Sequence, residues 1–375
     1  MPLALYRKYR PKKLTDLLGQ ETNVEILKNA ARKNALGQAY LFYGPRGTGK
    51  TTTARLIAKL ANCERRETDE AFRALGEPCN ECRVCKEIDA NASLGVVEID
   101  AASNRGIDEI RNLKEDIQSA PAGVAYKVYI IDEAHMLTTA AFNALLKTLE
   151  EPPRHAIFIL ATTEYEKLPP TITSRTQRFL FRKLSKPTIL GKLRTIAKEE
   201  KLKISEEALE LIAAAGDGSF RDAESLLDQI ASAHDSKTTI DLKAAERLTG
   251  RIGFQAIDHL AELILKKDLA NALEALTKAS EEGLNVVQLT RDLIHYLRKV
   301  LTLKLNPELE KQMHTDLTAE EVKRVKFLSA LADEKSTVHL LQALIRAYTE
   351  IRYSPFALIP LEIALIDQLS TGQKE

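Results

Sequence analysis

Five short apolar runs punctuate the first half of the chain: 39–43, 96–100, 126–133, 156–160 and 177–181. Each is flanked by polar or turn-forming residues and is too short for a buried helix, so each predicts a strand. Amphipathic stretches separate them. The segments 21–33, 51–60, 107–118 and 141–149 carry helical spacing, and the last places Phe142, Leu145, Leu146 and Leu149 on one face before Pro152-Pro153 stops it. Strands alternating with helices predict an α/β fold with a parallel sheet. From Ser185 onward strand signals cease. The segment 206–215 reads as a helix, Gly216 to Ser219 breaks it, and 220–233 reads as another with Arg221 near its start. Polar residues 234–239 suggest a boundary, helical periodicity with short breaks such as 281–283 fills 244–369, and 370–375 is a short tail.

The first apolar run feeds Gly44-Pro45-Arg46-Gly47-Thr48-Gly49-Lys50-Thr51, the G-x-x-x-x-G-K-[ST] pattern, and Thr52 continues into the helical segment. Glycines at 47 and 49 let successive backbone N–H groups converge on phosphate oxygens at the positive end of that helix. Lys50 is then expected to reach the β and γ phosphates of ATP, and the Thr51 hydroxyl to ligate Mg²⁺. A glycine-rich turn with a chance Lys-Thr is the plainer alternative, and the strand before and helix after it speak against that. The third run ends in Asp132-Glu133, as expected of a buried strand emerging at the ligand edge of a sheet. The two carboxylates can divide the work: Asp132 holds Mg²⁺ through its water shell, and Glu133 polarises the attacking water. The fourth run ends at Ala161-Thr162-Thr163, which sets a hydroxyl beside the acidic strand, and Arg175 stands just ahead of the fifth.

All four cysteines, Cys63, Cys79, Cys82 and Cys85, lie between the first and second runs. Their C-x₁₅-C-x₂-C-x₂-C spacing suits tetrahedral thiolate coordination of a structural zinc better than a disulfide. No fifth ligand is obvious, so an open catalytic zinc is not expected.

Composition narrows the partners. The chain has 375 residues, 44% hydrophobic and 29% charged, with a formal charge of +1. That is room for two or three globular domains, and it argues against a uniformly basic nucleic-acid binder, although a balanced total can hide a basic face. Arg7, Lys8, Arg10, Lys12 and Lys13 form such a cluster, which charge alone reads as solvated surface. No signal-length apolar segment follows the basic start and no run reaches the roughly 18 residues of a membrane span, which predicts a cytoplasmic protein. Two tyrosines and a proline in 6–11 can form a slot for a base or pack internally, and both readings stay open. The loop 101–106 can meet phosphates through Arg105 and a helix N-terminus, though on the residues alone a capped helix start is the simpler reading.

Taken in order, YRKYRP, LLGQE, YLFYGPRGTGKTTTARLIAKLANC, EIDAAS, VYIIDEAHML, FNALLKTLEEPP, ILATTE, LPPTITSRTQRF and GSFRDAESLLDQ resemble the AAA+ ATPases, and closely the gamma/tau clamp-loader subunits of bacterial DNA polymerase III. The resemblance spans nearly the whole chain and is most specific up to about residue 233. It implies an AAA+ core with a zinc module over 1–178, the module at 63–85, a helical lid over 179–243 and a helical oligomerisation collar over 244–369. It implies that Thr163 is a sensor near the γ-phosphate, that Arg175 reaches a neighbouring subunit's ATP, and that Arg221 acts as a second sensor in its own subunit. Tyr9-Arg10-Pro11 and Leu18 fall where the family encloses adenine. The first cysteine spacing is longer than the family's, and Thr176 replaces the last residue of its Ser-Arg-Cys motif. The family's long form also tethers helicase and polymerase, and a chain ending at Glu375 corresponds to the short form or to a truncation.

The function this implies is a DNA-stimulated ATPase that opens and loads a sliding clamp on primer–template DNA, in a hetero-oligomer with other clamp-loader subunits and with copies of itself. Asp132-Glu133-Ala134-His135 also spells a helicase box, but such helicases need neither the cysteine module nor Arg175 and Arg221 in this order. A non-hydrolysing scaffold would lack Lys50, Thr51, Asp132 or Glu133, and all four are present.

Overall fold

The computed structural model describes residues 3–104, 113, 116–117, 119, 123–233, 238–249, 253–281, 285–313, 317, 319–351, 353–354 and 356–370. The chain divides into one unit of residues 6–184 and a second of 1–5 with 185–375.

The first unit is built on a parallel sheet of β1 (Ala39–Tyr43), β2 (Val96–Asp100), β3 (Lys127–Asp132), β4 (Ala156–Thr162) and β5 (Gln177–Leu180). Their order is β2-β3-β4-β1-β5. The chain therefore leaves β1 for the far edge, returns through β3 and β4, and passes β1 to add β5. Helical crossovers cover both faces, so the strands are apolar on both sides, and every residue of β4 is buried. Successive side chains alternate between two cores. Tyr40, Phe42, Ile157, Ile159 and Phe179 join Leu27 and Ile57 on one face. Leu41, Phe158 and Leu160 join Leu145, Leu149 and Ile172 on the other.

Two strand ends differ from the apolar reading. β4 runs two residues past Leu160 because Tyr43 of β1 pairs with Thr162, so backbone pairing outlasts the hydrophobic run. β5 pairs with β1 through Leu180, so the domain boundary expected at 178 cuts a strand, and the unit continues to Leu184.

In the second unit, helices Lys186–Glu199, Glu206–Ala215, Phe220–Ala233 and Leu242–Thr249 pack together. Ser185 and Ser205 cap the first two through their side chains. The helix Leu242–Thr249 packs on Glu206–Ala215, and the boundary expected at 243 falls inside it. Helices Phe254–Leu265, Leu269–Glu281, Val286–Leu305, Ala319–Leu331, Glu334–Ile351 and Ile359–Ser370 share a separate core around Leu276, Leu293, Leu297, Val325, Leu344 and Leu365. Ile345, Ile359, Ile363 and Ile366 of the last two helices remain exposed. Among the described residues, no helix is long and apolar enough to cross a membrane.

Candidate functional site

Parallel register brings the carboxyl ends of the strands together. Tyr43 stands opposite Thr162, and Asp100 opposite Asp132. The loop after β1, the acidic pair after β3 and the threonines at the end of β4 therefore share one edge of the sheet, where ligands bind in open α/β folds. The Gly44 N–H donates to the Thr162 carbonyl at 3.2 Å, which ties the loop entrance to β4. Gly44 has φ +139°, and a Cβ there would lie 2.1 Å from the Phe181 carbonyl oxygen, so no other residue fits. Gly47 and Gly49 also take positive φ, 71° and 103°, and turn the loop into the helix Lys50–Asn62.

Lys50 is 6% exposed, and its Nζ donates to the carbonyls of Gly44 at 2.7 Å and Pro45 at 2.8 Å. Burial lowers its pKa, and the charges of Glu133 and Asp132 oppose that shift. The Thr51 hydroxyl donates to Asp132 Oδ2 at 2.7 Å, while Asp132 Oδ1 accepts the Glu133 N–H at 2.9 Å. Glu133 is left-handed, at φ 47° and ψ 44°, an unusual conformation that turns its carboxylate away from the strand direction. There Thr163 Oγ1 donates to Glu133 Oε2 at 3.0 Å. His135 Nδ1 shares a hydrogen bond of 3.0 Å with Thr162 Oγ1, and its Nε2 lies 3.1 Å from Glu164 Oε1. Glu164 in turn is held below the usual carboxylate range, first by its hydrogen bond from Lys167.

Five expected residues thus converge: Lys50, Thr51, Asp132, Glu133 and Thr163. Arg46 is exposed on the loop, Thr48 is buried and donates to the Pro45 carbonyl, and Thr52 is half-buried. Arg175 points its hydrogen bonds elsewhere. Its Nε donates to Glu150 Oε1 at 2.8 Å with a second, shorter bond from Nη2, and Nη1 donates to the Thr171 carbonyl at 2.8 Å. Arg221 lies in the second unit, exposed in the first turn of Phe220–Ala233.

Ahead of the loop, Tyr9, Arg10 and Pro11 are half-buried, and Leu18 is 41% exposed. Leu17, which sequence reasoning passed over, borders the glycine-built loop. Its Cδ2 sits 3.5 Å from where a Cβ on Gly49 would be. The segment is pinned by buried Glu77, whose oxygens accept the N–H groups of Leu14 at 2.7 Å and Thr15 at 3.1 Å. Lys28 neutralises the same carboxylate at 3.1 Å. No local pattern marks Glu77, since its partners are some fifty to sixty residues away in the chain.

The four cysteine sulfurs lie within 4.8 Å of one another. Sulfurs around one zinc at the usual bond length of about 2.3 Å stand roughly 3.8 Å apart, and Cys79 and Cys85 are already at 3.9 Å. Backbone N–H groups of Cys79 and Cys82 point at Cys63 Sγ and Cys79 Sγ. The hydrogen bond from Cys85 is the largest cause that holds Cys63 below an ordinary thiol. Donor chemistry, spacing and sulfur-directed amides all fit a zinc ion. Buried Lys59 bonds Asn80 at 2.9 Å and Asp89 at 2.6 Å, fastening this module to the phosphate-loop helix.

The loop after β2 folds on Asp100, which accepts from the Ala102 N–H at 2.9 Å and the Ser103 hydroxyl at 3.1 Å. Arg105, Gly106 and most of the helix expected over 107–118 lie outside the described residues.

Three family models tile the chain: DNA polymerase III, delta subunit, over residues 19–185; DNA polymerase III clamp loader subunit, ATPase lid domain, over 188–235; and DNA polymerase III subunits gamma and tau domain III, over 240–371. The chain is 42% identical over 374 residues to DNA polymerase III subunit tau of Bacillus subtilis, which covers 99% of this chain and 64% of that protein. It is 38% identical over 363 residues to the subunit gamma/tau of Mycoplasma genitalium, covering 93% of this chain and 60% of that one. It is 36% identical over 367 residues to the subunit gamma of Buchnera aphidicola, covering 98% of each. The chain thus spans less than two thirds of the length of the Bacillus and Mycoplasma relatives.

Proposed function

Because the chain belongs to the DNA polymerase III gamma/tau subunit family, we propose that it is an ATP-hydrolysing clamp-loader subunit that acts in the cytoplasm. The observation that carries this reading is the convergence of Lys50, Thr51, Asp132, Glu133 and Thr163 at one sheet edge beside a glycine-built phosphate loop. Lys50 would exchange its loop carbonyls for β and γ phosphate oxygens, with the amides of 46–52 around it. Thr51 and Asp132, already 2.7 Å apart, would hold Mg²⁺, which neutralises phosphate charge when bound. Glu133 would accept a proton from the attacking water while Thr163 fixes its carboxylate. Arg175 would complete the site of an adjacent chain and Arg221 its own, and Tyr9, Arg10, Pro11 and Leu18 would enclose the base.

ATP binding would arrange these subunits to open a ring-shaped sliding clamp at a primer–template junction, and hydrolysis would release it. The exposed isoleucines of the last two helices support a collar that joins other subunits and copies of this chain. The test is reconstitution: the chain mixed with clamp-loader partners and a clamp should hydrolyse ATP faster with primed DNA, and a rate indifferent to clamp and DNA would refute the loader reading.

Glu133→Gln should keep ATP binding while slowing hydrolysis by roughly 10²- to 10⁴-fold. Parallel loss of binding, read by calorimetry, would make Glu133 structural instead. The cysteines should hold one zinc per chain by elemental analysis, and chelation should lower the melting temperature without directly removing ATP hydrolysis. Equal stability and activity after changing both Cys79 and Cys82 to Ser would count against any role for the metal.

A further inference from the structure

We infer that Glu150 is a positioning residue for Arg175, holding its guanidinium in the orientation in which it is offered to a neighbouring chain; this rests on the intersubunit reading of Arg175 given above. Glu150 is the last residue of the helix Thr139–Glu150, whose body is fixed by Phe142, Leu145 and Leu149 in the core. A carboxylate at that end faces the negative pole of its own helix, an unfavourable local placement. Arg175, 25 residues further along, supplies the compensating charge through Nε and Nη2, both to Oε1. Nη1 is anchored separately on the Thr171 carbonyl at 2.8 Å. Arg175 is one-third exposed, and an exposed arginine without such anchors samples many rotamers.

The guanidinium is a rigid plane, so fixing its Nε edge and one Nη1 bond fixes the direction of the whole fork. What remains for a phosphate is the end away from Glu150. Of the two N–H groups on Nη2, one lies outside the pair with Glu150, and the second bond of Nη1, to Ser174 Oγ, is long at 3.3 Å. Glu150 touches no nucleotide in this reading and acts only through Arg175.

The test uses the full chain assembled with its clamp-loader partners, with kcat and KM for DNA-stimulated hydrolysis measured for Glu150→Gln, Arg175→Ala and the double variant. Glu150→Gln should lower kcat by roughly 10- to 100-fold, as displacing a support residue commonly does. ATP affinity and melting temperature of the isolated chain should stay unchanged, and Glu150→Asp should fall between Gln and the original. In the Arg175→Ala background the Glu150 change should have no further effect, a coupling that a merely structural residue would not show. A normal rate for Glu150→Gln, or an equal fractional loss in both backgrounds, would overturn the inference while leaving the finger intact. A normal rate for Arg175→Ala would instead remove the intersubunit reading, and this inference with it.

Discussion

Lys50→Ala is expected to remove nearly all ATP binding by the isolated chain. The side chain is 6% exposed and its ammonium sits between the Gly44 and Pro45 carbonyls, so it is desolvated before any ligand arrives. Two charge-assisted hydrogen bonds to phosphate at about 1.5–3 kcal/mol each amount to roughly 3–6 kcal/mol, or about 10²- to 10⁴-fold in Kd. The loss falls toward the upper end because Asp132 and Glu133 face the same space, and without Lys50 they would meet the triphosphate unopposed. Backbone amides of the loop carry only partial charges and do not offset this. Calorimetric titration with ATP checks it, and an unchanged Kd in a folded variant would remove the phosphate-loop reading.

Arg175→Ala is expected to leave ATP binding by the isolated chain nearly unchanged and to cut DNA-stimulated hydrolysis in the assembly to a small residual rate. Its hydrogen bonds run to Glu150, Thr171 and Ser174, none of which belongs to the Lys50 cluster. A guanidinium delivered from a neighbour stabilises charge on the transferring phosphoryl, an effect worth about 10³- to 10⁵-fold where such a finger operates. Mixing separates the alternatives. Arg175→Ala chains combined with Lys50→Ala chains should regain activity, since an intact loop on one can meet an intact finger on the other. If no mixture exceeds the separate variants, in assemblies shown to contain both, Arg175 acts within its own chain.

What could be read from the sequence was what local chemistry enforces. β1 and β2 match their apolar runs, and the loop between Gly44 and Thr51 folds as its glycines demand. The acidic pair and the cysteine cluster followed from residue type and spacing. What escaped was set by distant partners. Leu17 borders Gly49 from a segment that Glu77 holds from far along the chain. The left-handed backbone at Glu133 is imposed by surrounding contacts, since nothing in glutamate favours it. Strand ends at Thr162 and Leu180 follow from register with β1, which apolarity does not report. Helix Leu242–Thr249 packs on Glu206–Ala215, a contact that the polar stretch before it does not report.

The position of β1 in the sheet also bears on how this chain is made. Both of its partners come late: β4 begins roughly 110 residues downstream and β5 roughly 20 after that. A ribosome adding about 5–20 residues each second needs several seconds or more to supply them. Throughout that interval Ala-Tyr-Leu-Phe-Tyr has two bare backbone edges and no charge, the makings of a sticky strand. Nascent chains stalled between residues 43 and 156 should therefore be held by chaperones or aggregate, and charged substitutions cannot relieve this, because both faces of the strand end up in the core.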